Sequence, residues 1–196
     1  MSSAAQTGKP NWTFGTGATT REKCLAYSAA VLGCAAFALN GHDKGWAWWQ
    51  WLIGLLMVWD LAGGVVANGL DAAKRFYHSP LAFHAGAVPR FLHHPVGFTA
   101  VHLQPVIACL VLGGTRWWWW GALWYLWALA GAVAVELARA RYQRPLALGI
   151  VGIGAMVAPL VEAPPGLAWL PVVLLLKLVV AHAVPEGVGS SSREGR

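Results

Sequence analysis

The chain has 196 residues, of which 57% are hydrophobic and only 11% charged, and its mean hydropathy is +0.52. That balance excludes a soluble globular domain, which needs far more polar surface to cover its core. The formal net charge of +6 is gathered in the segments between apolar runs, so no nucleic-acid partner is needed to explain it.

Roughly 20 apolar residues cross about 30 Å of hydrocarbon at 1.5 Å per residue. On that measure the chain reads as an all-α, polytopic membrane bundle of about six spans: residues 22–40, 45–68, 94–114, 117–137, 145–162 and 166–185. Five or seven are the alternatives, because the fifth run is short and Pro159 sits near its end. The spans form one domain, 22–186, between polar tails 1–21 and 187–196 that are expected to be mobile. Arg21 and Lys23 before an apolar run ending in Ala36-Phe37-Ala38 also resemble a signal peptide, but the long segment ahead favours an uncleaved first span.

The first span carries Cys24 and Cys34, and Cys109 lies in the third; with no CxxC they read as small packing residues. The second span opens on Trp46, Trp48, Trp49 and Trp51 and holds Asp60 well inside it, about 14 Å from its far end. A carboxylate at that depth costs roughly 2.5–3.5 kcal/mol, so it needs a partner facing it inside the bundle. Asp60, Gly64 and Asn68 share one helical face at i, i+4, i+8.

The loop from Gly69 to His93 brings Lys74, Arg75, Phe76 and Tyr77, a pattern that suits a short amphipathic helix interrupted by Pro80 and Pro89. Five of the seven histidines, His78, His84, His93, His94 and His102, fall between residues 78 and 102. In the third span His94, Phe98 and His102 repeat at i, i+4, i+8. Antiparallel pairing would then set Asp60 against His102, Gly64 against Phe98 and Asn68 against His94. The glycine would make room for the phenylalanine.

The fourth span opens on Trp117, Trp118, Trp119 and Trp120 and ends near Glu136; the sixth begins near Trp169 and holds Lys177, with His182 and Glu186 towards its end. The tryptophans fall on one face as an interfacial belt. Lys9, Arg21, Lys23, Lys74, Arg75, Arg90, Arg139, Arg141, Arg144, Arg193 and Arg196 fall on the other, against Lys44 and Arg116 beside the tryptophans. By the positive-inside rule both termini are expected in the cytoplasm, in a plasma (inner) membrane. The Ala, Gly, Val and Arg bias suits a GC-rich bacterial genome.

Two chemistries fit this inventory. Neutral imidazoles are ligands for a transition metal, iron or zinc, and a site would draw on His78, His84, His93, His94 and His182 from different segments. Asp60, His102 and Lys177 form an acid/base set, with Asn68 and Glu136 placed to orient a histidine or a substrate. The spacing, HxxxxxH and then HH, is not that of the HxxxH and HxxHH boxes of membrane desaturases, and no family resemblance is claimed.

The expected function is a small integral-membrane enzyme with a cytoplasmic-side His/Asp site, acting on a lipid or isoprenoid-like substrate by metal or acid/base chemistry. The alternatives are a proton-coupled small-molecule transporter using Asp60, His102 and Lys177, and a haem-binding electron carrier with His94 or His102 paired with His182. A structural duty, in which buried polar pairs only lock helices together, stands beside these.

Overall fold

The structure, a computed structural model, describes residues 11–79 and 86–185, and among these residues all regular elements are helices, with no strand. Five helices are long and apolar enough to cross a membrane: Thr20–Gly41 (α1), Trp48–Gly69 (α2), the broken helix Pro95–Gly113, Thr115–Leu137, and Ala140–Leu160. The regular part of the fourth is α7 (Trp118–Leu137) and of the fifth α8 (Ala140–Val157). A sixth, shorter apolar helix, Leu170–His182, completes the bundle.

Each start has a local cause. A capping box closes the first turn of α1, with Thr19 and Glu22 satisfying each other's neighbouring backbone N–H groups. The second helix begins at Trp48 rather than Gly45, because Gly45 takes a left-handed turn at φ +67°. The fifth begins at Ala140, upstream of the Pro145 expected to open it, and absorbs that proline within its exposed early turns. Its far end tightens into a 3-10 turn at Ala158–Leu160, around Pro159.

The third span is not the continuous helix expected over 94–114. It runs as α5 (Pro95–Ala100), breaks at Val101–Leu103, and resumes as α6 (Gln104–Ala108) with a π turn at Cys109–Gly113. Two prolines set this pattern. Pro95 opens α5 and holds His94 extended, and Pro105 has no N–H to continue a helical ladder across the break.

The sixth helix, α9 (Leu170–Leu175) continuing as a π-helix over Leu176–His182, is too short by count to span about 30 Å. It is also the best-enclosed element: Leu170, Leu174, Leu175, Leu178 and Val179 expose no surface, and it packs against α2, α7 and α8. A helix shielded by its neighbours need not match the bilayer thickness itself, since protein rather than lipid surrounds its ends.

Two short helices fill the described parts of the 69–93 loop: α3 (Asp71–His78), ending before Pro80, and α4 (Ala87–His93). The first buries Ala72, Ala73, Phe76 and Tyr77, and Lys74 donates to the carbonyls of Ala181 and Val184, tying the loop to the end of the sixth helix. Residues 11–19, within the segment expected to be a mobile tail, fold over this end. Asn11 Oδ1 accepts from the N–H groups of Thr13 and Phe14, each at 3.0 Å, and the Tyr77 hydroxyl donates to the Trp12 carbonyl.

At the opposite end Trp46 stacks on Phe37 at 5.3 Å and donates to the Leu112 carbonyl, and Asn40 donates to Gly166 O at 3.0 Å. The tryptophan belt is only half a belt. Trp48, Trp49, Trp118 and Trp119 face outward, whereas Trp117 and Trp120 are buried in the core, as a helical repeat of three to four requires.

Candidate functional site

The polar residues lie in two layers. In the deeper one Lys177 Nζ donates to Asp60 Oδ2 at 2.6 Å, and Gln104 Nε2 donates to the same oxygen at 2.9 Å. The lysine side chain is 3% exposed and the aspartate 48%, so the pair reaches from the interior to an opening in the bundle. Lys177 sits in the π-helical half of the sixth helix, a local widening that recurs at functional sites. Gly64 serves this lysine: a Cβ there would stand 2.6 Å from Lys177 Cε.

His102 stands in the break of the third span, where its place in the chain matters as much as its surroundings. The carbonyl of Phe98 would receive the His102 backbone N–H in a continuous helix, but that N–H turns to Thr99 O at 3.0 Å. The imidazole Nδ1–H donates to Phe98 O instead, at 2.6 Å. A carbonyl only accepts, so in the neutral ring the proton is on Nδ1 and Nε2 carries the lone pair.

A cavity of about 300 Å³ joins these groups. Asp60, Asn68, Phe98, His102 and Lys177 line it, and Trp12, Thr13 and Phe14 of the folded-back segment close it at the loop end. The Asn68 side chain is buried, and its Nδ2 has no hydrogen-bond partner among the described residues. Non-helical backbone at membrane depth is tolerated where it lines a cavity, and here the Val101–Leu103 break does so through His102.

The shallower layer is an aromatic box that holds the histidines. His182 stacks on Phe98 with centroids 3.6 Å apart and takes the edge of Tyr77 at 4.7 Å. His93 is ringed by Trp12, Phe76 and Tyr77 at 5.2, 4.8 and 5.3 Å. His78 Nε2–H donates to the His182 carbonyl at 2.9 Å. Burial holds the His78 and His93 imidazoles below their usual value and pushes the Tyr77 hydroxyl up to about 12.

Asp60, His102 and Lys177 therefore share one cavity with Asn68, but the expected ladder does not form in that register. Asp60 binds Lys177 and Gln104, Gly64 makes room for the lysine rather than for Phe98, and His94 lies 3.8 Å from Glu136 at the surface. The break turns α6 and removes the straight helix that the spacing assumed. Glu136 partners His94 and is not among the residues that line the cavity.

Of the histidines expected as metal ligands, His93 and His182 pack among aromatic rings, His78 donates to the His182 carbonyl and His94 faces Glu136. Among the described residues no three His, Cys, Asp or Glu side chains converge as an ion would require, and His84 lies outside them. His102 and His182 both pack on Phe98, at 4.4 and 3.6 Å. Sequence reasoning missed Gln104 and the Trp12–Phe14 segment. The signals were a polar residue before a proline inside an apolar run, and two aromatics in an Asn-Trp-Thr-Phe-Gly stretch.

Fold and site together define a multi-pass helical membrane protein with a polar cavity inside the bundle. No family model, no curated protein and no solved structure matches the chain.

Proposed function

We propose that the chain is a small membrane-embedded enzyme performing acid/base chemistry on a lipid or isoprenoid-like substrate. His102 is the proton acceptor, the Asp60–Lys177 pair sets the local field, and Asn68 orients the substrate. By the distribution of basic residues the site lies in the cytoplasmic half of a plasma membrane. The observation that carries the reading is the Nδ1–H bond from His102 to Phe98 O, which leaves a lone pair on Nε2 of a ring that lines the cavity.

The test is turnover of lipid and isoprenoid alcohol extracts by purified protein in nanodiscs, followed by mass spectrometry, for wild type, His102→Gln and Asp60→Asn. Loss of a general base lowers rate by roughly 10²–10⁴, with the helical circular-dichroism signal retained. Equal turnover in all three proteins rules the reading out.

One observation favours a second reading, proton-coupled transport: a discontinuous helix beside a half-buried ion pair inside the bundle is a construction used by transporters. Against it, the cavity reaches from Trp12 to Asp60 and its lining does not continue to the tryptophan face. Substrate flux in proteoliposomes that disappears in Asp60→Asn would select transport.

A further inference from the structure

We propose that the cavity is entered sideways from the membrane, and that it holds the uncharged, hydroxyl-bearing head of an amphiphile whose tail leaves over Tyr27 and Trp59. This rests on the reading of the cavity as the substrate site and adds the substrate's head-group class and its route.

The route follows from what closes the cavity and what does not. Trp12, Thr13 and Phe14 cover the loop end, and Trp12 is fixed there by the Tyr77 hydroxyl and by the rings of Phe76 and His93. The lateral wall is open instead. Tyr27 and Trp59 line the cavity and are nonetheless 46% and 43% exposed, and Asp60 is exposed beside them. Their rings lie 5.9 Å apart, an apolar pair at the mouth of a polar pocket. On the far side of His102, Val101 and Leu103 are also exposed. Such a rim suits an alkyl or isoprenoid chain in lipid.

The head-group class follows from charge. Among the described residues Asp60 and Lys177 are the two charged side chains that line the cavity, and they neutralise each other at 2.6 Å. A phosphate or carboxylate would enter with no uncommitted countercharge, and leaving a charge unpaired at that depth is expensive. Hydrogen bonding is a different matter. Among the described residues Asn68 Nδ2 is a buried donor without a partner, and His102 Nε2 is an acceptor. A hydroxyl both accepts and donates, so it matches both kinds of group in the lining.

The experiment uses the full chain in phosphatidylcholine nanodiscs and three photoreactive probes of one chain length, ending in a hydroxyl, a carboxylate or a phosphate. Crosslinked peptides are located by mass spectrometry. The expected result is that the hydroxyl probe labels Tyr27, Trp59 and the Val101–Leu103 break, competed by unlabelled alcohol, and that the charged probes label them about tenfold less. In Asn68→Leu the hydroxyl signal at these residues falls roughly threefold to tenfold, while labelling of lipid-facing Leu32 and Leu56 is unchanged.

Equal or stronger labelling by a charged probe in wild type overturns the proposal, and so does hydroxyl labelling that alcohol does not compete. Because labelling reads occupancy and turnover reads chemistry, a seated hydroxyl probe beside unchanged turnover in His102→Gln would defeat the acid/base reading and uphold this one.

Discussion

Lys177 donates to Asp60 across 2.6 Å, yet the two side chains live in different surroundings: the lysine is 3% exposed and the aspartate 48%. The lysine is the more dependent partner. Its ammonium has been taken out of water and lipid headgroups alike, whereas the carboxylate borders an opening and also accepts from Gln104.

Removing the carboxylate should therefore cost more than removing the pair. Asp60→Asn leaves a buried ammonium facing an amide, and a loss of about 1–3 kcal/mol is expected, less than for a fully buried pair because Asp60 is half exposed. Asp60→Asn/Lys177→Met should recover most of it. Thermal unfolding of the single and double variants in one detergent checks this, and a double variant less stable than Asp60→Asn would show that the pair's partners, not its charge, set the stability.

The tautomer of His102 is open to direct observation. In the neutral ring, donation of Nδ1–H to Phe98 O leaves Nε2 unprotonated, whereas a neutral His78, which donates Nε2–H to His182 O, is the opposite tautomer. Nitrogen-15 spectra of histidine-labelled protein at neutral pH are expected to contain both patterns. The His102→Gln variant should delete an Nδ1–H set, and deletion of an Nε2–H set would contradict the geometry.

Depth was legible in the sequence; register was not. Asp60 and Lys177 each stand far from the ends of an apolar run, and the cost of burying them unpaired is enough to bring them together. Asp60 takes Lys177 and Gln104 as its hydrogen-bond partners rather than His102, because equal spacing on two helices implies a ladder only if both are straight, and Pro105 interrupts the third. The break also creates the hydrogen bond that defines His102, since Phe98 O would otherwise be taken by the backbone. The aromatic surroundings of the crowded histidines were not legible: Trp12, Phe76, Tyr77 and Phe98 come from separate segments and converge on His93 and His182.

The same box makes the fold acid-sensitive. Burial holds His78 and His93 below their usual imidazole value of 6.5, so the unfolded chain binds protons before the folded one does. Their contribution is complete above about pH 6.5 and is lost as pH falls through their lower folded values. The melting temperature should drop between about pH 7.5 and 5.5, and His93→Phe, which suits the surrounding rings, should flatten that slope. A midpoint insensitive to pH over this range would mean that the imidazoles are not held neutral by burial.

The closing segment hangs on Gly15. It sits at φ +78°, and a Cβ there would lie 2.1 Å from the carbonyl oxygen of Ala72 in α3. Gly15→Ala is expected to cost about 1–2 kcal/mol in backbone strain alone and to lift residues 11–19 from the cavity. Gly17 at φ +89° has nothing within 4 Å, so Gly17→Ala carries the strain without the collision. Hydrogen exchange at Thr13 and Phe14 should quicken more in the first variant than in the second. Equal protection in both would show that the close approach to Ala72 does not hold the segment down.

Gly64 offers the most selective probe of the site, since the space it leaves belongs to Lys177. A Cβ would come within 2.6 Å of Cε, 2.9 Å of Cδ and 3.1 Å of Nζ, and the 2.6 Å bond to Asp60 leaves the lysine no slack. Gly64→Ala is thus expected to stretch the ion pair and destabilise the protein by about 1–3 kcal/mol, the range for overpacking a close-fitted interior. Gly149→Ala, on α8 with nothing within 4 Å, should be neutral or slightly stabilising as a helical glycine replacement. Unfolding midpoints for the two variants settle the matter: equal stability would mean that the lysine moves aside freely and that its geometry with Asp60 is not held by packing.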